Sequence, residues 1–186
     1  LDFHLVRARI RAQANAPRDA ANEFAAQLKE KKFASEAAMR YGLAYSLLRA
    51  KEMAAAQREI EGLLALRLSS PMIAGLAADI RLAAADPAGA LAIYRDALQR
   101  YPQSRALLYG HAEALLAAGQ YEQGLRFLDS QLQLYHSDYR LYGLQAKTFA
   151  LAGKRLQQHR AQAEFYLLQG QLGPAVEQLQ FAQQAA

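Results

Sequence analysis

The side chains of this chain that could do chemistry are imidazoles, tyrosine phenols and guanidiniums. His4, His111, His136 and His159 lie too far apart in sequence to form a local metal-ligand pair, and no H-E-x-x-H, P-loop or G-x-G-x-x-G pattern occurs. His111 reads as a packed core histidine. Without cysteine there is no disulfide framework, no thiolate zinc site and no thiol nucleophile, and no serine sits in a nucleophile elbow. No metal, no cofactor and no catalytic residue is therefore expected within the chain. What remains is noncovalent recognition, for which Tyr and Arg are the residue types enriched at interface hot spots.

The chain must hold such residues on a helical frame. Its 186 residues are 53% hydrophobic, with Ala and Leu dominating over Val and Ile, and only five prolines interrupt them. That composition favours helices over strands and suffices for a well-buried domain. No apolar run reaches eighteen residues, so no membrane span is expected. The start, Leu-Asp-Phe-His-Leu, has neither an initiator Met nor a signal-peptide layout, as expected of part of a larger protein. The net charge of +5 is concentrated in residues 1–60, where eleven Lys or Arg face seven Asp or Glu. Arg7, Arg9 and Arg11 contribute to it, but alternate residues on a helix do not form one stripe, so nucleic acid is not an expected partner.

Self-similarity at a spacing of 34 residues organises the chain. From Pro71 it reads Ala78, the turn Asp86-Pro87, then Ala90, Tyr94, Ala97 and Pro102. From Arg105 it reads Ala112, Gly119, Tyr121, Gly124 and Leu128. The register continues from Tyr139 (Tyr142, Ala146, Phe149, Gly153) and back to Ala37 (Ala44, Leu47, Met53, Ala56, Ile60), with Ala8, Ala20 and Phe24 forming a first hairpin. Ala163, Tyr166, Gly170, Leu172, Ala175, Leu179 and Ala182 match the pattern begun at Leu156, half a repeat early, so one helix near 156–169 closes one hairpin and opens the next. Small residues at repeat positions 8 and 20 let paired helices approach, and larger ones fill the space between hairpins. Tyr94, Tyr121, Tyr142 and Tyr166 take such large-residue positions and are expected in the core. Gly42, Gly75, Gly110 and Gly143 fall inside first helices at about 1 kcal/mol each relative to Ala. Either close helix approach or room for a ligand would offset that.

These positions resemble those of the tetratricopeptide repeat (TPR) family. The resemblance implies an all-α, right-handed TPR superhelical solenoid of about eleven antiparallel helices, a single array over 1–186. Its hairpins lie near 1–34, 37–68, 71–102, 105–136 and 139–169, with a last helix near 173–186 pairing with 156–169. Two departures, no Trp at position 4 and Ala for Gly at position 8, leave a Sel1-like or other α-hairpin array as the alternative, which the 34-residue spacing opposes. In TPR arrays the first helix of each hairpin lines a concave groove through positions 2, 5, 9, 12 and 13. Here that rule selects Arg9, Tyr41, Tyr45, Arg49, Asp79, Tyr109, Glu113, Arg140, Lys147, Arg160 and Glu164, with Tyr41, Tyr45, Tyr109 and Arg49 the preferred partner contacts. Chaperone-tail binders of the family carry Lys and Asn at positions 5 and 9, which this sequence lacks.

A narrower resemblance joins Gly153-Lys-Arg-Leu-Gln-Gln-His159-Arg-Ala-Gln-Ala-Glu164-Phe-Tyr166, the following Gly170 and Pro174-Ala-Val-Glu177, and the opening Phe3-His-Leu-Val-Arg-Ala-Arg9. Together they look like the TPR domain that follows the catalytic domain of periplasmic zinc metallopeptidases of the β-barrel assembly-enhancing type. The resemblance implies a noncatalytic, periplasmic module that docks its protease on outer-membrane assembly components or stalled substrates. Zinc and catalysis would then belong to another domain. The alternative is a scaffold that packs on its own catalytic domain or self-associates.

Overall fold

In the computed structural model, which describes residues 1–185, eleven α-helices follow one another and no strand occurs among the described residues. They are α1 (Asp2–Ala14), α2 (Pro17–Glu30), α3 (Glu36–Arg49), α4 (Met53–Ala65), α5 (Pro71–Ala83) and α6 (Pro87–Arg100). Then come α7 (Arg105–Ala117), α8 (Tyr121–Leu134), α9 (Tyr139–Leu151), α10 (Arg155–Leu168) and α11 (Leu172–Gln184).

Local chemistry sets where helices begin. Pro17, Pro71 and Pro87 stand in the first turns of α2, α5 and α6, where a missing N–H costs nothing. Ser35, Ser70, Asp86 and Asp138 accept a backbone N–H at the starts of α3, α5, α6 and α9, at 3.3, 3.2, 2.8 and 3.1 Å. Their ends share one device. Lys51, Ala85, Gly119, Gly153 and Gly170, each fifteenth from its repeat's first residue, all have φ between 59° and 73°. The chain then reverses through bonds such as Gln120 N–H to Leu115 O at 2.9 Å.

Two compact units are present, Leu1–Leu107 and Leu108–Ala186. In the first, the small-residue pairs Ala8 with Ala20, Ala44 with Ala56 and Ala78 with Ala90 are at most 1% exposed. Around them Leu5, Phe24, Leu47, Ile60, Leu63, Ile73 and Ile80 form one continuous core. At Gly42 the reason is packing: a Cβ there would collide with the Phe24 ring, so α3 can lie on α2 only because residue 42 has no side chain. In the second unit Ala112, Leu128 and Leu141 make the centre, with Tyr109, Phe127, Tyr135 and Leu144 against it. There Gly143 repeats the device, since a Cβ would lie 3.0 Å from Phe165. His111 stacks edge-on against Phe127, ring centroids 4.8 Å apart, as a packed histidine.

Helix α10 packs against both α9 and α11, which is the shared role that the half-repeat at Leu156 predicts. Of the four tyrosines expected in the core only Tyr94 is fully buried. Tyr121, Tyr142 and Tyr166 are half-buried. Tyr142 and Tyr166 lie on α9 and α10, beyond which α11 covers only α10.

Candidate functional site

In the first unit the first helices of three successive hairpins bring four of the predicted groove residues together. The Tyr41 and Tyr45 rings, one helical turn apart on α3, lie parallel at 3° with centroids 6.4 Å apart. The Arg9 guanidinium of α1 sits 5.4 Å from the Tyr45 ring centroid, within reach of a cation–π contact. Gln13, one turn after Arg9, donates from Nε2 to the Tyr45 hydroxyl at 3.0 Å. From α5, Asp79 accepts a hydrogen bond from the Tyr94 hydroxyl of α6.

The electrostatics follow from partial desolvation. Asp79 is exposed along its edge, yet the helices around it crowd out enough water to raise its pKa; the Tyr94 hydrogen bond and the Arg9 charge act the other way. Burial likewise pushes the Tyr41 phenol up to about 12, against a lowering pull from Arg9. The site therefore holds a neutral phenol, a partly desolvated carboxylate and an exposed guanidinium already oriented by a ring.

Two preferred contacts need correction. Tyr41 is 2% exposed, so its side chain forms the floor beneath Tyr45 and is not offered to a partner. The helix pattern marks the groove face but not how deeply a position on it sinks when helices crowd both flanks of α3. Arg49 is also committed, because its guanidinium donates to the carbonyls of Ala12 and, at 3.3 Å, Asn15. It serves as a cationic cap on the open carbonyls ending α1.

In the second unit the Tyr109 hydroxyl donates to Asp138 Oδ2 at 2.7 Å, and Arg140 lies 5.7 Å from the Tyr109 centroid and 5.9 Å from that of Tyr139. Arg160 and Glu164 of α10 line a pocket of about 290 Å³ with Tyr142, Gln145 and Phe149 of α9. Glu113 and Lys147 are exposed. Gln13, Tyr94 and Asp138 were not legible as site residues. Tyr94 carries a core position whose hydroxyl alone reaches the groove, and Asp138 reads as a helix cap while its second oxygen holds Tyr109.

With this geometry in place, comparison with known proteins is informative. The tetratricopeptide repeat family profile matches residues 81–148. No curated protein matches the sequence. Among solved structures the chain is similar to YrrB, described as a TPR protein with an unusual peptide-binding site. The TM-score is 0.64 at 13% identity, over 94% of this chain and 89% of that one. It is similar also to a MamA fragment from Desulfovibrio magneticus RS-1, with TM-score 0.60 and 15% identity over 80% and 94% of the two chains. A MamA mutant aligns with TM-score 0.63 and 12% identity over 91% and 92%. At such identities the likeness is one of fold. Taken with the 34-residue spacing and the buried small-residue pairs, it gives the chain an all-α fold of the tetratricopeptide repeat type, with residues 81–148 matching the tetratricopeptide repeat family itself.

Proposed function

We propose that the chain is a noncatalytic protein-binding module whose first unit grips an extended partner segment against Arg9, Tyr45 and Asp79. The observation that carries this reading is the convergence of α1, α3 and α5 on one exposed, ring-oriented guanidinium. Tyr41 supports the site from below, and in the second unit, taken by itself, Tyr109 with Arg140, Lys147, Glu113 and the Arg160–Glu164 pocket are separate candidate contacts.

The partner reading is narrower. The resemblance of 153–179 and of Phe3–Arg9 to the C-terminal TPR domain of periplasmic zinc metallopeptidases supports a periplasmic role in outer-membrane protein assembly and quality control. In that role the chain docks the enzyme on assembly components or on unfolded outer-membrane substrates. Zinc and hydrolysis belong to the catalytic domain in this reading.

The test is fluorescence anisotropy with labelled, unfolded outer-membrane barrel segments. Tyr45→Ala with Arg9→Glu should weaken binding at least tenfold, while Arg95→Glu on the exposed face of α6 leaves it unchanged. Equal affinity of all variants removes the groove. Equal binding of soluble unfolded controls removes the outer-membrane reading and leaves the groove intact.

A further inference from the structure

Between α4, α5 and α6, inside the first unit, lies a hollow of about 230 Å³. Helix α5 lines it with Ile73, Ala74 and Ala77, α6 with Ile93, and the end of α4 and the loop after it with Leu64 and Leu68. Two polar pairs border it: the Ser69 and Tyr101 hydroxyls, hydrogen-bonded to each other, and Asp96 with Arg100 in an exposed ion pair. The groove of Arg9, Tyr45 and Asp79 is a different face, since Ala74 and Ala77 stand roughly 140–160° around α5 from Asp79.

The character of the hollow comes from two positions. One repeat earlier they are Arg40 and Glu59. There the Arg40 guanidinium lies against Gly62 and donates to Glu59 at 3.3 Å and to Glu36 at 2.8 Å. The cleft around that pair, about 530 Å³ and bordered by Lys31 as well, is charged and suits water. One repeat later the same two positions are Leu108, 3% exposed, and Phe127, whose ring packs on His111. Ala74 and Ile93 have neither the charge of the earlier pair nor the bulk of the later one.

An apolar hollow of this kind holds water poorly, because an ordered water needs about two to four polar partners. What it favours is an apolar group withdrawn from solvent. Size narrows the group: a cavity of about 150 Å³ takes a benzene ring, and pockets for whole small molecules begin near about 300 Å³. The space between those limits matches one phenylalanine or leucine side chain. Leu64 and Leu68, 47% and 39% exposed, continue the apolar surface at the mouth, as an anchor carried on a longer chain requires. The Ser69 and Tyr101 hydroxyls can exchange their mutual bond for a backbone amide or carbonyl. The Asp96 and Arg100 charges cancel, so the matching anchor is uncharged.

We propose that this hollow is a second recognition site of the first unit, taking one phenylalanine- or leucine-sized side chain of a partner polypeptide whose backbone meets Ser69 and Tyr101.

Methyl NMR of the full chain, carbon-13 labelled in Ala, Ile and Leu, tests this with acetyl-Gly-Ser-Phe-Ser-Gly-amide, the same peptide with alanine for phenylalanine, and free toluene. The Ile73, Ala77 and Ile93 methyls should shift saturably with the phenylalanine peptide, at a Kd of about 1–10 mM for one buried side chain, and stay in place with the alanine peptide. Ala74→Arg with Ile93→Glu, which rebuilds the Arg40–Glu59 pair in this repeat, should abolish the shifts at Ile73 and Ala77. Ala74→Leu, the residue type present at Leu108, closes the hollow without charge and should weaken binding at least about fivefold. That single change decides the matter if circular dichroism shows the double variant unfolded. Tyr45→Ala with Arg9→Glu should bind the peptide as the wild type does, which separates this site from the groove. No saturable shift in the wild type, equal response to both peptides, binding of toluene without binding of the peptide, or undiminished binding by folded Ala74→Leu would each overturn the proposal.

Discussion

The Tyr94 hydroxyl of α6 donates to the Asp79 carboxylate of α5, so the buried core of one hairpin reaches through to the groove surface. Desolvation raises the Asp79 pKa in spite of that bond. An acid raised in the folded state binds its proton more readily there than in the unfolded chain. Its ionised form therefore weighs against folding near neutral pH, and that weight lifts as the pH falls through the raised value toward the unfolded one near 3.9. Asp79→Asn, which still accepts from Tyr94, should flatten this part of the stability–pH profile, measured by urea unfolding from pH 7 to pH 4. An unchanged slope would place Asp79 in bulk-like solvent.

Tyr41 should behave as core and Tyr45 as surface. Tyr41→Ala empties a fully packed site and is expected to cost about 3–5 kcal/mol, against about 1 kcal/mol or less for Tyr45→Ala. The Tyr41 phenol, raised to about 12, adds a pH signature. Its contribution is complete below the ordinary tyrosine value near 10 and is lost as the pH rises toward 12. Tyr41→Phe should remove that alkaline loss in the same unfolding assay.

Gly42→Ala should destabilise the first unit although alanine is the better helix former by about 1 kcal/mol. The added methyl meets the Phe24 ring, and overpacking of this kind costs about 1–3 kcal/mol. Adding Phe24→Leu should recover part of the loss. Additive effects of the two changes in chemical denaturation would show that the ring and the glycine are not coupled.

The shared left-handed turn makes a comparison within one molecule. Ala85 and Lys51 hold φ of 59° and 61° where the later repeats have glycine. Glycine escapes the steric cost of about 1–2 kcal/mol and loses part of the gain to its freer unfolded chain. Ala85→Gly is expected to raise stability by about 0.5–1 kcal/mol, and Gly119→Ala to lower it by a similar amount, both read from denaturation midpoints.

Most of the frame was legible because spacing carries it. Ala8, Ala44, Ala78 and Ala112 recur where two helices must touch, and Leu156 announces the helix that serves two hairpins. The groove was legible only as a face. A helical wheel puts Arg9, Tyr41, Tyr45, Arg49 and Asp79 on one predicted face of the array, but depth and commitment are set by neighbours distant in sequence. Tyr41 sinks because α1 and α5 flank α3, and Arg49 turns back because α1 ends beside it with open carbonyls. No pattern within fifteen residues encodes either contact.

Helix α11 packs on α10, while α3 has company on both sides. Its amides should therefore open and exchange with deuterium sooner than those of α3, in a local event that leaves the earlier hairpins closed. Protease cutting near Gly170 would follow that same opening, and its rate would report how firmly the last helix is held at any moment.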